Sequence, residues 1–222
     1  LSDAELKRVV MYHPQVLRYS VENMAPIIDW LKDRLDLDAT QLKKMVLKLP
    51  ALLSYSGEGN MAPKLDWLQT RLDLDDLGLR NMVLRAPGLL GRSIEDNMAP
   101  TLDWLQMRLG LDAVELSNMV LTFPTLLGYS IESNVEPKLG FFEEELGLSP
   151  SEVRALIVSM PARLGYSLKT RLRPRLEVCR AAGADVSIVL RGAGQTDAKF
   201  CKRVGVPLEA LRAAQGTPEA DV

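Results

Sequence analysis

The strongest candidate for chemistry in this chain is a cluster of basic residues in its C-terminal third. The members of the cluster, which have only the acidic residue Glu177 between them, are Arg154, Arg163, Lys169, Arg171, Arg173, Arg175 and Arg180. Arginine guanidinium groups match the geometry of phosphate oxygens, and phosphate contacts position proteins on nucleic acids. The cluster therefore predicts a phosphate-binding surface, and the alternative is a set of solvated charges on a terminal repeat.

Other basic residues extend this candidate site. Lys202 and Arg203 follow the cluster, and residues 151–222 hold 12 basic against seven acidic side chains, although the whole chain has a net charge of −2. A thinner column consists of Lys7, Lys43, Arg80 and Arg154, which occupy equivalent positions of a repeated segment. We expect this column to align along one side of the fold, with most of the positive charge near the C-terminal end.

Residues for catalysis or metal binding are scarce. The only histidine is His13, and Cys179 and Cys201 lie 22 residues apart without a second cysteine pair. The stretch Gly192–Asp197 imitates a dinucleotide-binding loop, but Asp197 stands where the third glycine belongs. The sequence therefore predicts no enzyme, no metal site and no cofactor. Two cysteines also suit a reducing compartment.

Acidic residues are concentrated just before the basic cluster. Residues 111–150 hold seven acidic side chains and one basic side chain, and they include the run Glu143–Glu145. This run predicts a solvated face, and a patch that binds a protein partner remains the alternative.

The elements that must position these side chains come from an internal repeat. A first column of prolines consists of Pro14, Pro50, Pro87, Pro124 and Pro161, and a second column, in steps of 37 residues, consists of Pro26, Pro63, Pro100, Pro137 and Pro174. Such a fixed period is typical of stacked repeat proteins. It predicts one domain over residues 1–212, with repeats at about 2–37, 38–74, 75–111, 112–148 and 149–184, a degenerate cap at 185–212 and a frayed tail at 213–222.

Each repeat contains signals for two helices. A helix-capping residue begins the first helix, at Ser2, Asp38, Asp75, Asp112 and Ser149. Four of these five form a capping box with the residue three positions later. The first-column proline ends that helix, a tight turn follows, and a serine caps the next element. Whether the second helix begins at this serine or at the second-column proline stays open.

The second helix carries an aromatic column and, in the last repeat, a change of charge. Trp30, Trp67, Trp104 and Phe141 occupy the aromatic column. Packing between adjacent helix pairs is the favoured interpretation, and base stacking is the alternative.

Arg171 stands where repeats two to four carry an asparagine, so the fifth repeat is basic at a position that is neutral in the others.

The repeated phrase resembles the repeat of the mitochondrial transcription termination factor (mTERF) family. The resemblance covers residues 2–180 and rests on the two proline columns and on the leucine and serine columns; residues 185–207 resemble the family's less regular C-terminal end. It implies a curved, left-handed superhelix that binds double-stranded DNA or RNA, including ribosomal RNA, along a basic concave path. It also implies a mitochondrial or chloroplast location and a role in transcription termination or initiation, RNA processing or ribosome assembly.

The charge of this chain departs from the family pattern. Because the chain is slightly acidic, we expect a short contact weighted to the fifth repeat instead of a long groove along the whole array. We therefore predict an all-α helical-repeat solenoid that is not an enzyme and binds organellar nucleic acid. The alternative is a protein-interaction scaffold or a structural subunit of an organellar ribonucleoprotein such as the ribosome.

Two expectations concern location. No run of about 18 apolar residues occurs, so we predict no membrane partner. The chain begins directly in a helix-capping pattern, so we expect any targeting segment to have been removed or never to have existed.

Overall fold

The computed structural model describes residues 1–216, and within that range the regular secondary structure is helical, with no strand. The chain divides into two compact units, one of them Leu1–Tyr129 and the other beginning at Ser130. The first unit contains α1 (Asp3–Tyr12), α2 (Val21–Arg34), α3 (Ala39–Lys48), α4 (Ala62–Arg71), α5 (Asp76–Arg85), α6 (Ala99–Leu109) and α7 (Ala113–Thr122). The second contains α8 (Glu136–Gly140), α9 (Pro150–Ser159), α10 (Arg173–Ala181), α11 (Ser187–Arg191), α12 (Asp197–Val204) and α13 (Leu208–Gln215). The predicted all-α helical-repeat class is confirmed.

The first helix of each repeat begins at the residue that the sequence predicts. Ser2, Asp38, Asp112 and Ser149 each accept a hydrogen bond from the backbone three residues later, and that later side chain accepts one in return. Asp75 accepts from the backbone N–H of Gly78 at 2.7 Å, but a glycine has no side chain that could complete the box. The four predicted capping boxes are therefore present, each satisfying two otherwise orphan N–H groups.

The first-column prolines end the first helices and begin 3₁₀ turns. Leu49, which precedes Pro50, has φ −140° and ψ 80°, because the proline ring disfavours helical backbone in the residue before it. The five turns are Pro14–Arg18, Pro50–Ser54, Pro87–Gly91, Pro124–Gly128 and Pro161–Gly165.

The second helix begins at the serine in repeats two to five, through one π-helical turn. In repeat two the N–H of Met61 donates to the carbonyl of Ser56 at 3.0 Å, which is a five-residue step. The α-helix continues from Ala62, and Pro63 lies in its first turn, where the N–H that proline lacks is tolerated. The π turns are Gly57–Met61, Ile94–Met98, Ile131–Val135 and Leu168–Leu172.

Repeat one has no π turn, because the segment between its serine and its second-column proline is one residue shorter. The N–H of Met24 donates to the carbonyl of Ser20, a four-residue step, and α2 is continuous from Val21. Ser20 and Pro26 are six positions apart, whereas the corresponding residues of each later repeat are seven positions apart. The additional residue is the one that the π turn accommodates.

The core lies between successive helix pairs, as a leucine of the 3₁₀ turn illustrates. Leu53, Leu90 and Leu127 are buried, and Leu90 and Leu127 have no exposed surface. The equivalent Leu17 is 71% exposed. Leu53 packs in one cluster with Val9 and Val16 of repeat one, whereas no repeat within the described residues covers Leu17 in this way.

Glycines in the 3₁₀ turns allow a close approach of the preceding repeat. A Cβ atom on Gly91 would lie 2.7 Å from the Tyr55 hydroxyl, and one on Gly128 would lie 3.6 Å from the Arg92 guanidinium. Neither glycine has a positive φ. At Gly91 the physical reason for a glycine is therefore the close contact with Tyr55 and not a left-handed backbone.

The C-terminal cap differs from its prediction at the end of the chain. α13 continues to Gln215, whose side-chain amide donates to the backbone carbonyl of Thr170 at 3.1 Å. The frayed tail predicted for residues 213–222 was therefore wrong for 213–215, and 217–222 lie outside the described residues. No helix in the described part of the chain has the length and apolarity that a membrane span requires.

Candidate nucleic-acid interface

Arg175, at the centre of the predicted basic surface, is completely buried. Its guanidinium donates to the Asp197 carboxylate at 2.6 Å and to the backbone carbonyls of Gly192 at 2.7 Å and Gln195 at 2.8 Å. It also lies 4.6 Å from the ring centroid of Phe200. The prediction that Arg175 contacts phosphate is wrong for this structure, because the guanidinium binds the cap to the fifth repeat.

Lysines at the equivalent positions of earlier repeats make a similar clamp. Lys64 donates to the backbone carbonyl of Leu90 at 2.8 Å and to Asn60 Oδ1 at 2.9 Å, and burial lowers the pKa of its ammonium. Lys138 makes the corresponding pair of bonds in repeat four, and burial lowers its pKa too. Arg175 therefore occupies a position that joins one repeat to the turn of the next.

Arg171 and Arg163 are half-buried and also bind backbone. Arg171, at the position of the clamp asparagine, donates to the carbonyl of Ala193 at 2.8 Å and lies 5.4 Å from the Tyr166 ring centroid. Arg163 donates to the carbonyl of Leu156 at 2.7 Å, and burial lowers its pKa. The apparent change of charge in repeat five is thus largely a change in how the clamp is built.

Arg173 and Arg180 are exposed, but both contact Glu145. Arg173 forms an ion pair with the Glu145 carboxylate at 2.9 Å, and Arg180 donates to the Glu145 backbone carbonyl at 2.7 Å. In the first unit, the position equivalent to Glu145 is held by Arg34, which pairs with Asp66 of the next repeat at 2.7 Å. The acidic run is therefore partly used in folding, which reduces the free charge of both predicted patches.

The remaining members of the predicted C-terminal set are better placed to meet a ligand. Lys169 is exposed in the π turn of repeat five. Lys202 and Arg203 are exposed on α12, and Lys199 joins them at helical spacing, while Phe200 and Cys201 form the buried face. Arg154 is half-buried on α9 and has an interaction within the fold.

The predicted column of basic residues on the first helices also has both exposed members and members that are paired within the fold. Lys7 is exposed. Lys43 pairs with Glu5 at 2.8 Å, and this bond, with the Ser2 N–H, lowers the pKa of the Glu5 carboxyl to about 2. Arg80 donates to both the carboxylate and the backbone carbonyl of Asp36, at 2.7 and 3.0 Å. Lys43 and Arg80 therefore already join elements of the first unit.

The tryptophan column includes a packing contact. The indole N–H of Trp30 donates to Glu58 at 2.6 Å, and a Cβ on Gly57 would lie 2.6 Å from the ring. Trp67 and Trp104 are half-buried. The contact of Trp30 with the next repeat favours the packing interpretation over base stacking.

Sequence reasoning missed a basic groove in the first unit. We call it the turn groove, and it has a volume of about 320 Å³. Its lining includes Lys48, Arg85, Gly88, Arg92, Gly128 and Tyr129. None of the residues that line it is acidic. Lys48 and Arg85 stand two residues before equivalent prolines, 37 positions apart, and that spacing was the available signal.

Residues for other chemistry do not come together in the described range. Residues 1–216 contain no group of three or more His, Cys, Asp or Glu side chains able to hold a metal ion. Cys179 and Cys201 are both buried, and burial raises the pKa of each thiol.

The family model described as mTERF matches residues 1–193. No curated protein matches the chain.

Proposed function

Since the chain belongs to the mTERF family, we propose that it is an organellar protein that binds double-stranded DNA or structured RNA. The observation that carries this proposal is the family match, which extends over both units and includes the predicted repeats. At the level of the family, membership indicates nucleic-acid binding in an organelle and not an enzymatic activity. The proposed roles are transcription termination or regulation, or RNA and ribosome metabolism, in a mitochondrion or a chloroplast.

The proposed contact is the part of the basic C-terminal set that folding leaves exposed. It comprises Lys169, Lys202 and Arg203, together with the exposed guanidinium of Arg173; Arg180 is also exposed but donates to the backbone carbonyl of Glu145. Cations that reach water can exchange counterions for phosphates, whereas a guanidinium enclosed like that of Arg175 cannot. The proposed contact is therefore smaller than the whole arginine cluster.

The experiment is a titration of the chain into labelled duplex DNA and a labelled RNA hairpin, at low salt and then at rising salt. We expect binding to both or to one, with log affinity falling linearly against log salt. A contact with about four phosphates gives a slope of about −4 on duplex DNA. Absence of binding at low salt contradicts the proposal.

One observation favours a second function. Arg163, Arg171 and Arg175 are half-buried or buried and bind backbone carbonyls within the fold, so a large part of the cluster that suggested nucleic acid has a structural role. This is the arrangement that a non-catalytic scaffold or a structural subunit of an organellar ribonucleoprotein would need. Failure of the titration above, with the chain folded, favours this second function.

A further inference from the structure

The turn groove combines three cations that carboxylates do not neutralise. Lys48 donates to the backbone carbonyl of Leu84 at 2.9 Å, and Arg85 donates to that of Leu121 at 2.9 Å. A carbonyl orients a cation and leaves its net charge in place, whereas the carboxylates of Asp66 and Asp36 cancel those of Arg34 and Arg80. The groove is therefore a local concentration of positive charge in an acidic chain.

Arg92 completes the set from the next turn. It is exposed, and its guanidinium lies over Gly128, where a Cβ would be 3.6 Å from it. Gly88 is exposed, and beyond its chain neighbours and its own helical turn nothing lies within 4 Å of its Cβ position, so a ligand can approach the backbone there. An aromatic ring, that of Tyr129, lines the same groove and packs edge-on against Phe123 at 5.8 Å.

We propose that the turn groove binds the sugar–phosphate backbone of a single nucleic-acid strand, with phosphates held by Lys48, Arg85 and Arg92. The groove has a volume of about 320 Å³ and is lined by cations and by an aromatic ring. Positively charged grooves with an aromatic ring are the usual means of binding unpaired strands, because the ring stacks a base without reading its sequence. The inference rests on the proposed function and adds a site in the first unit to the contact proposed for the second.

The test compares two variants of the whole chain that lose the same charge. The groove variant is Lys48→Gln/Arg85→Gln/Arg92→Gln, in which each amide can still donate to a carbonyl. The control is Arg18→Gln/Lys32→Gln/Lys44→Gln, which changes three exposed cations of the first unit outside the groove. The probe is a short fluorescein-labelled single-stranded RNA, and the measurement is the slope of log affinity against log salt.

We expect the groove variant to have a slope shallower by about 2, because each phosphate on a single strand contributes about −0.7. The control should keep the wild-type slope to within about one phosphate. Equal changes of this slope in the two variants overturn the inference. Displacement of the RNA by polyglutamate at the same concentration of charge also overturns it. Thr125→Glu, at an exposed residue of the groove, should also weaken binding if the groove variant does not fold.

The outcomes separate this inference from the proposed function. If the wild type binds neither the RNA hairpin nor the single strand, the proposed function fails. If the wild type binds and Thr125→Glu and the groove variant bind as the control does, only the inference about the turn groove fails.

Discussion

Arg175 shows why residue type and spacing alone misplace a functional site. Its guanidinium makes charge-assisted bonds to Asp197 and to three backbone carbonyls, and none of its surface is exposed. From sequence it is one arginine among several that could meet phosphate. Its partners lie 17 to 22 residues further along, in the cap, whose packing the repeat pattern does not describe.

We predict that Arg175→Ala destabilises the second unit by about 3–5 kcal/mol, because it leaves the buried partners of the guanidinium unpaired. The matched control is Arg173→Ala, which removes an exposed ion pair and should cost at most about 1 kcal/mol. Urea denaturation measures both free energies of unfolding. Equal losses would mean that Arg175 is not a structural residue.

The same ion pair predicts a dependence of stability on pH. The hydrogen bond from Arg175 lowers the pKa of Asp197 below its ordinary value of 3.8. A carboxyl with a lowered pKa in the folded state contributes stability above its unfolded pKa, and that contribution is lost as pH falls through the folded value. Urea denaturation of the wild type should therefore show a loss of stability as pH falls below about 4, and this loss should be smaller in Arg175→Met than in the wild type. An unchanged acid profile in that variant would contradict the assignment.

At the scale of elements, the lysine clamp is a feature that repeat comparison reveals. Repeat three carries Thr101 where repeats two and four carry Lys64 and Lys138, and Asn97 Oδ1 is buried there without a hydrogen-bond partner. The missing lysine explains why Asn97 Oδ1 has no donor, because in repeat two the corresponding oxygen of Asn60 accepts a hydrogen bond from the Lys64 ammonium.

Thr101→Lys should therefore raise the stability of the first unit by about 1 kcal/mol, through bonds to Asn97 Oδ1 and to the backbone carbonyl of Leu127. The matched change Lys64→Thr should lower stability by about 1–3 kcal/mol, because it creates the same orphan in repeat two. Denaturant titration of both variants is the measurement. A loss of stability in Thr101→Lys would show that the third repeat has no room for the clamp.

The leucine column offers a second test at this scale. Leu127→Ala should cost about 2–5 kcal/mol, because it leaves a cavity in a fully buried turn. Leu17→Ala, at the equivalent and largely exposed position, should change the free energy of unfolding by less than about 0.5 kcal/mol. Similar losses at the two positions would contradict stabilisation by neighbouring repeats.

For the whole molecule, the sequence predicted what depends on local rules. Backbone chemistry within about 12 residues sets the ends of the first helices at the prolines, the capping boxes at residues such as Asp112, and the second helices. The structure contains all three features. In the sequence, the only sign of the π turns is that Ser56 and Pro63 are one position further apart than Ser20 and Pro26. Arg175 and Arg80 are bound by partners that lie 17 to 44 residues away in the chain, so the spacing of the basic residues could not predict which of them stay free.

The central claim is that nucleic acid meets the exposed cations Lys169, Lys202 and Arg203 of the second unit and not the buried arginines of the cluster. The most direct measurement is the salt dependence of duplex DNA binding by the wild type, by Lys169→Gln/Lys202→Gln/Arg203→Gln and by the control Arg18→Gln/Lys32→Gln/Lys44→Gln. We expect a wild-type slope of about −4, a slope shallower by about two to three in the first variant, and a smaller change in the control, since each phosphate contributes about −0.9. Binding by the wild type with equal slopes in the two variants would contradict the claim.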